Sequence, residues 1–173
     1  MPLILETPDF TLIGHDQPHH DRNNGGHAKV TPKQNFVDIT QMPTDLYLKM
    51  MQLVRIAGEA ITNVMRKKGI DVVRINYQDN GNWPYFPSMN KEPQVHVHLY
   101  VRSRNEKHPD NDDRFRAFPN ALVFPYGKDY PEYYQHFQPY SEQDCADFRA
   151  EIKQLLNTEK YYGLKEKLEI INL

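Results

Sequence analysis

Pro93-Gln94-Val95-His96-Val97-His98-Leu99-Tyr100-Val101-Arg102 places two imidazoles, a carboxamide and a phenol at alternate positions. Valines and leucine fill the positions between, and such alternation of β-formers predicts a strand over Pro93–Arg102. Side chains two apart on a strand share a face, so Gln94, His96, His98 and Tyr100 form one row and Val95, Val97, Leu99 and Val101 the other. A solvated strand face ordinarily carries Lys or Glu. This one carries groups that transfer protons, ligate metals or attack electrophiles.

Three kinds of chemistry fit the row. The histidines can be structural, with their nitrogens bonded to nearby backbone. They can ligate a metal, since imidazole is a common divalent ligand; a third ligand would then come from His15 or His27, because Glu106 lies past the end of the strand. Or one imidazole can act as a nucleophile at phosphorus, being largely unprotonated at pH 7, with its neighbours fixing its tautomer and holding the phosphate.

The elements that must position this row follow from the rest of the chain. Its 173 residues suit one domain spanning 1–173. A net charge of −2 gives no electrostatic reason for a nucleic-acid or membrane partner. The lone Cys145 excludes an internal disulfide and any cysteine-rich zinc site. Met1–Leu5 meets Glu6 too early for a secretory leader, and no apolar run reaches membrane-spanning length. A cytoplasmic setting is expected.

Leu3–Leu5 and Phe10–Ile13 read as short strands joined by a Thr7-Pro8-Asp9 turn. Gly14 to Gly26 is a polar loop, and His27–Thr31 resumes as a strand up to Pro32. Thr44 is placed as the N-cap of a helix of about 25 residues. Leu46, Met50, Leu53, Val54, Ala57, Ile61 and Val64 form its apolar stripe, and Gly69 stops it. Asp71 to Tyr77 reads as a strand, and Trp83–Pro87 as an aromatic loop beside the site. Residues 105–139 show no period. Ser141 and Asp144 open a second helix. The order predicts an α+β domain, an antiparallel sheet with helices on one face.

The histidine strand resembles the histidine-triad (HIT) signature, in which three histidines alternate with apolar residues. Gly26-His27-Ala28-Lys29-Val30-Thr31-Pro32-Lys33 resembles that family's Gly-His-x-x-Val-x-Pro-Lys strand, and the helix and strands follow in the family's order. The likeness covers about 3–104, leaving 105–173 as an extension. Two registers are possible. One replaces the third histidine with Tyr100; the other replaces the first with Gln94 and makes His96 central. The second is preferred, because it also matches a branch written Pro-Gln-x-His-x-His-φ-φ-x-Arg, with Pro93 and Arg102 in place.

The resemblance implies a five-stranded antiparallel sheet with a long helix and a C-terminal helix. It implies a nucleotidyl hydrolase or transferase cleaving at the α-phosphate of a nucleoside phosphoramidate or dinucleoside polyphosphate. His96 would form a covalent nucleotidyl-histidine, His98 would hold the phosphate or serve the leaving group, and Gln94 would orient through its amide. Asn76, Gln78, Asn82 and Arg102 would contact substrate, and His15 or Asp16 would reach the ribose hydroxyls. No metal or other cofactor is implied, and the family's usual assembly is a two-fold homodimer. A nucleotide-binding protein without turnover, and a metal-binding protein using His96 and His98, are the alternatives.

Overall fold

The computed structural model describes residues 2–79, 92–104, 106 and 135–170. Asn82, the aromatic loop and most of the aperiodic stretch fall outside them. Five strands form one antiparallel sheet: β1 (Leu3–Glu6), β2 (Phe10–Gly14), β3 (His27–Pro32), β4 (Val72–Gln78) and β5 (Val97–Ser103). Their spatial order is β1-β2-β3-β5-β4. The expected α+β architecture is the one observed.

The helix α1 spans Thr44–Lys67. Met50, Leu53, Val54, Ala57, Ile61 and Val64 are buried along it at the spacing of one helical face. They join Leu12, Val30, Val97, Leu99 and Val101, from one face of the sheet, in the core. The expected N-cap is displaced by one residue. Pro43 occupies the cap with no side-chain bond, and Thr44 is already helical. Proline's fixed φ suits a residue that enters a helix without donating a hydrogen bond. The far end closes as expected: Gly69 takes φ +86°, its N–H bonds Arg66 O, and the N–H of Ile70 bonds Met65 O. These two bonds make a Schellman cap.

A second helix, α2 (Glu142–Leu156), buries Cys145, Phe148, Ile152 and Leu155 and opens on the expected capping box between Ser141 and Asp144. A short helix, α3 (Leu164–Lys167), follows, with Leu168 and Ile170 buried after it. No helix among the described residues is long and apolar enough to cross a membrane.

Asp144 also fastens the loop over the sheet. Its fully buried carboxylate accepts two bonds from Arg22, at 2.7 and 2.9 Å, and one from Lys68 at 2.6 Å. Burial alone would raise its pKa, but the bonds from Arg22, Lys68 and Ser141 outweigh it and hold the group well below the usual carboxylate range. Asp144→Asn should therefore cost about 3–5 kcal/mol, because it leaves two cations facing a buried neutral amide. Urea unfolding at pH 7 measures this; a loss below about 1 kcal/mol would show that the charge is dispensable.

Gly25 and Gly26 bring the same loop back into β3. Both have positive φ, +125° and +92°. A Cβ on Gly25 would lie 2.3 Å from Val101 O, and one on Gly26 would lie 2.3 Å from the Tyr140 ring. Only glycine fits a chain pressed between β5 and a tyrosine. Tyr140 Oη donates to Gly25 O at 2.7 Å.

Candidate active site

The face of the sheet turned away from α1 carries the polar residues, because strand alternation sends Val97, Leu99 and Val101 into the core. Register aligns the rest in rows across three strands. Lys29 and Gln78 flank His98, His27 and Asn76 flank Tyr100, and Arg74 lies opposite Arg102. Two features of β5 depart from expectation. The strand begins at Val97, so Gln94 to His96 precede it. It is also buried on both faces from Val97 to Arg102. The loop after β2, expected to be polar, supplies His15 and the buried His19 and His20.

Six histidines thus converge. His15 stacks on His27 with ring centroids 4.6 Å apart, and His27 lies 4.4 Å from the Tyr100 ring. His98 stacks on Tyr100 at 5.2 Å. His20 Nε2 sits 3.4 Å from Glu106 Oε1.

Three of the imidazoles form a hydrogen-bonded chain whose tautomers are fixed from both ends. The backbone N–H of His19 donates to His27 Nδ1 at 3.2 Å. His27 must then carry its proton on Nε2, which lies 2.8 Å from His98 Nδ1. His98 in turn carries its proton on Nε2, 2.9 Å from His96 Nε2. His96 Nδ1 lies 2.7 Å from the carbonyl of Gln94 and can only donate to it. Both backbone groups impose the same direction. His96 Nε2 is left with a lone pair facing the His98 Nε2–H.

His15, His19, His27, His96 and His98 are held neutral at pH 7. Burial, reinforced by the neighbouring imidazoles and Lys29, lowers His98 to about 2. Burial, then His15 and Lys29, lowers His19 to about 3. Burial and Lys29 lower His15 to about 4, against an opposing pull from Asp16. His27 lies well below its ordinary value, chiefly through burial and then His98. His96 is lowered by burial, partly offset by its bond to Gln94. What remains is a set of lone pairs and N–H donors in which the His96 Nε2 lone pair faces the last imidazole N–H of the relay.

The expected site residues are distributed unevenly. His96 and His98 meet directly. Gln94 orients His96 through its backbone carbonyl, while its side-chain amide points to Pro32 O at 3.5 Å. Asn76 and Gln78 lie on the same face, in the rows of Tyr100 and His98. The Arg102 guanidinium is engaged by Glu106 through bonds of 2.6 and 2.8 Å. His15 belongs to the ring stack, whereas Asp16 is exposed and accepts from the Gln17 amide. Three participants, His19, His20 and Lys29, carry no expected role, and His27 carries one only as a conceivable metal ligand. Alternation along β3 was the available signal, since it puts His27 and Lys29 on one face as surely as it puts His96 and His98 on theirs. Among the described residues, no group of three or more His, Cys, Asp or Glu is arranged to hold a metal ion.

Neither the family models nor the curated proteins include a match to this chain. Solved structures do match. A hypothetical histidine triad nucleotide-binding protein from Sulfolobus tokodaii aligns over 93% of this chain and 89% of its own, with TM-score 0.56 and 18% identity. A histidine triad protein from Marinobacter aquaeolei aligns over 89% and 87%, with TM-score 0.53 and 19% identity. A zinc-bound histidine triad family protein from Mycobacterium smegmatis aligns over 88% and 84%, with TM-score 0.52 and 20% identity. At these identities the likeness is one of architecture, and the architecture of this chain is the histidine-triad fold.

Proposed function

We propose that the chain is a histidine-triad nucleotidyl hydrolase or transferase in which Gln94 stands in the first triad position and His96 is the nucleophile. The observation that carries this is the one-way imidazole chain. It leaves a neutral His96 with its Nε2 lone pair at the site and its Nδ1–H tied to the Gln94 carbonyl.

On this reading, a phosphate oxygen of the substrate takes over the hydrogen bond from His98 Nε2–H and frees the His96 lone pair. The His96 Nε2–P bond forms as the bond to the leaving group breaks. Positive charge grows on the His96 ring, where the Gln94 carbonyl accepting from Nδ1–H stabilises it. Water then forms a new P–O bond, the N–P electron pair returns to Nε2, and a proton passes to solvent. A different acceptor in place of water makes the same enzyme a transferase. His27 and the His19 amide hold His98 in the tautomer that donates. A homodimer formed across the edge strand β4, which exposes Val73 and Tyr77, belongs to the same proposal; sedimentation equilibrium would test it.

The test is intact-protein mass spectrometry after mixing with a dinucleoside polyphosphate or a nucleoside phosphoramidate, quenched at alkaline pH. A mass increment of one nucleotidyl group, absent in His96→Ala, is the expected result. Nucleotide binding with neither adduct nor turnover would instead identify a binding protein.

A further inference from the structure

A substrate carrying several phosphates brings charge that neutral imidazoles do not balance. Alternation along β3 points Lys29 to the same face as His27, and register sets it directly opposite His98. Gln78 flanks His98 from the other side. Directly opposed side chains on one sheet face are about 5 Å apart at Cβ, so Lys29, His98 and Gln78 form a row across three strands. The half-buried ammonium acts on the whole cluster: it lowers the protonation of His15, His19, His96 and His98. At His96 its effect outranks the opposing one from Asp79.

The leaving group supplies the second half of the case. The amine of a phosphoramidate must be protonated before it departs, and among the described residues the imidazole chain supplies few acids for it. Gln94 cannot titrate, and the rings of His27, His96 and His98 each hold one proton that is already shared within the chain. A phosphate leaving group needs no proton, only a cation beside the bridging oxygen as charge builds there.

We infer that Lys29 and Gln78 form a polyphosphate-binding row beside His98, and that this row makes the site selective for a phosphoanhydride bond over a phosphoramidate bond. This rests on the nucleotidyl-transfer reading above for its chemistry, though not for binding. As His96 Nε2 bonds to the α-phosphorus, the P–O bond breaks and its electron pair stays on the bridging oxygen. That oxygen departs as a phosphate or nucleotide anion next to the Lys29 ammonium.

Two measurements test it, with adenosine as the common nucleoside. Calorimetry compares AMP with ATP on the wild type, Lys29→Met and Lys29→Arg. ATP should bind the wild type at least about 10-fold more tightly than AMP, a typical size for one well-placed ion contact. The ratio should fall within about 3-fold in Lys29→Met and largely return in Lys29→Arg. Kinetics then compare diadenosine triphosphate with an adenosine phosphoramidate. The wild type should favour the anhydride, and Lys29→Met should lose at least about 10-fold on the anhydride and little on the phosphoramidate.

Equal ratios in wild type and Lys29→Met, equal losses on both substrates, or no binding of either nucleotide would overturn the inference. If the ATP preference depends on Lys29 but no covalent adduct forms, the binding row stands and the catalytic reading falls.

Discussion

His96→Ala should lower kcat/KM by about 10⁵-fold and abolish the covalent adduct, whereas His98→Ala should lose about 10²–10³-fold and still form some adduct. The first figure is the scale seen when a nucleophile is removed and only binding and positioning are left. The second is the scale for one preorganised donor to a developing anion. The geometry separates the two histidines clearly. Gln94 O fixes the proton of His96 on Nδ1, so its lone pair is on Nε2 at the head of the chain. His98 is bonded through both nitrogens, with His27 behind it and His96 ahead. Its Nε2–H can be passed to a phosphate oxygen, but its only lone pair is turned inward to His27. Single-turnover kinetics on both variants, with circular dichroism to confirm folding, checks the ranking. The reverse order would make His98 the nucleophile and restore the register in which Tyr100 replaces the third histidine.

The second large effect concerns pH. His15, His19 and His98 titrate at about 4, 3 and 2 in the folded chain, against about 6.5 when exposed. Between those values the unfolded chain binds protons that the folded chain refuses. Stability contributed by keeping these rings neutral is therefore fully present above pH 6.5 and lost as pH falls. Each ring removes about 1.4 kcal/mol per pH unit. At pH 5 the three together remove about 6 kcal/mol, which is on the scale of a domain's whole stability. Thermal midpoints should fall steeply from pH 7.5 to pH 5. His19→Leu keeps the backbone N–H that bonds His27 but deletes one titrating ring, so it should flatten the slope by about one proton. A midpoint that stays level over this range would mean that the cluster opens to water or takes up protons without cost.

How far this site could be read from the chain depended on which physical signal each residue gives. Alternation in Val97–Val101 identifies β5 and its faces, because a strand's period of two needs no distant information. It cannot find the start of the strand, and Gln94 and His96 turned out to precede it. Their backbone is used differently: Gln94 O orients His96, and Val95 N–H bonds Phe36 O rather than a strand partner. The long helix was legible from its stripe and its glycine stop, though its N-terminus was misplaced by one residue because Thr44 is a good cap type and Pro43 is also tolerated there. Composition marks the loop from Gly14 to Gly26 as polar. Its folded role depends on Arg22 reaching Asp144, 122 residues away, and no local pattern encodes such a pairing. Arg102 adds a pairing of its own: the resemblance implies a substrate contact for it, and Glu106 occupies the Nε–Nη2 edge of its guanidinium.

The strand order places β3 beside β5 and sends β4 to the edge. β1, β2 and β3 follow one another and pair in sequence, and β4 precedes β5 as its antiparallel neighbour. The seam between these two local units is where His27 meets His98, across 71 residues of chain. Contacts of that separation close late, since the loop entropy must be overcome before they form. Each unit by itself holds only part of the row: His15, His19 and His27 on one side, His96 and His98 on the other. The imidazole relay is thus completed only when the two halves dock, and an intermediate with one half formed has no donor behind His98. On the proposed nucleotidyl-transfer reading, recovery of activity during refolding would report the last assembly step of the sheet, not the first.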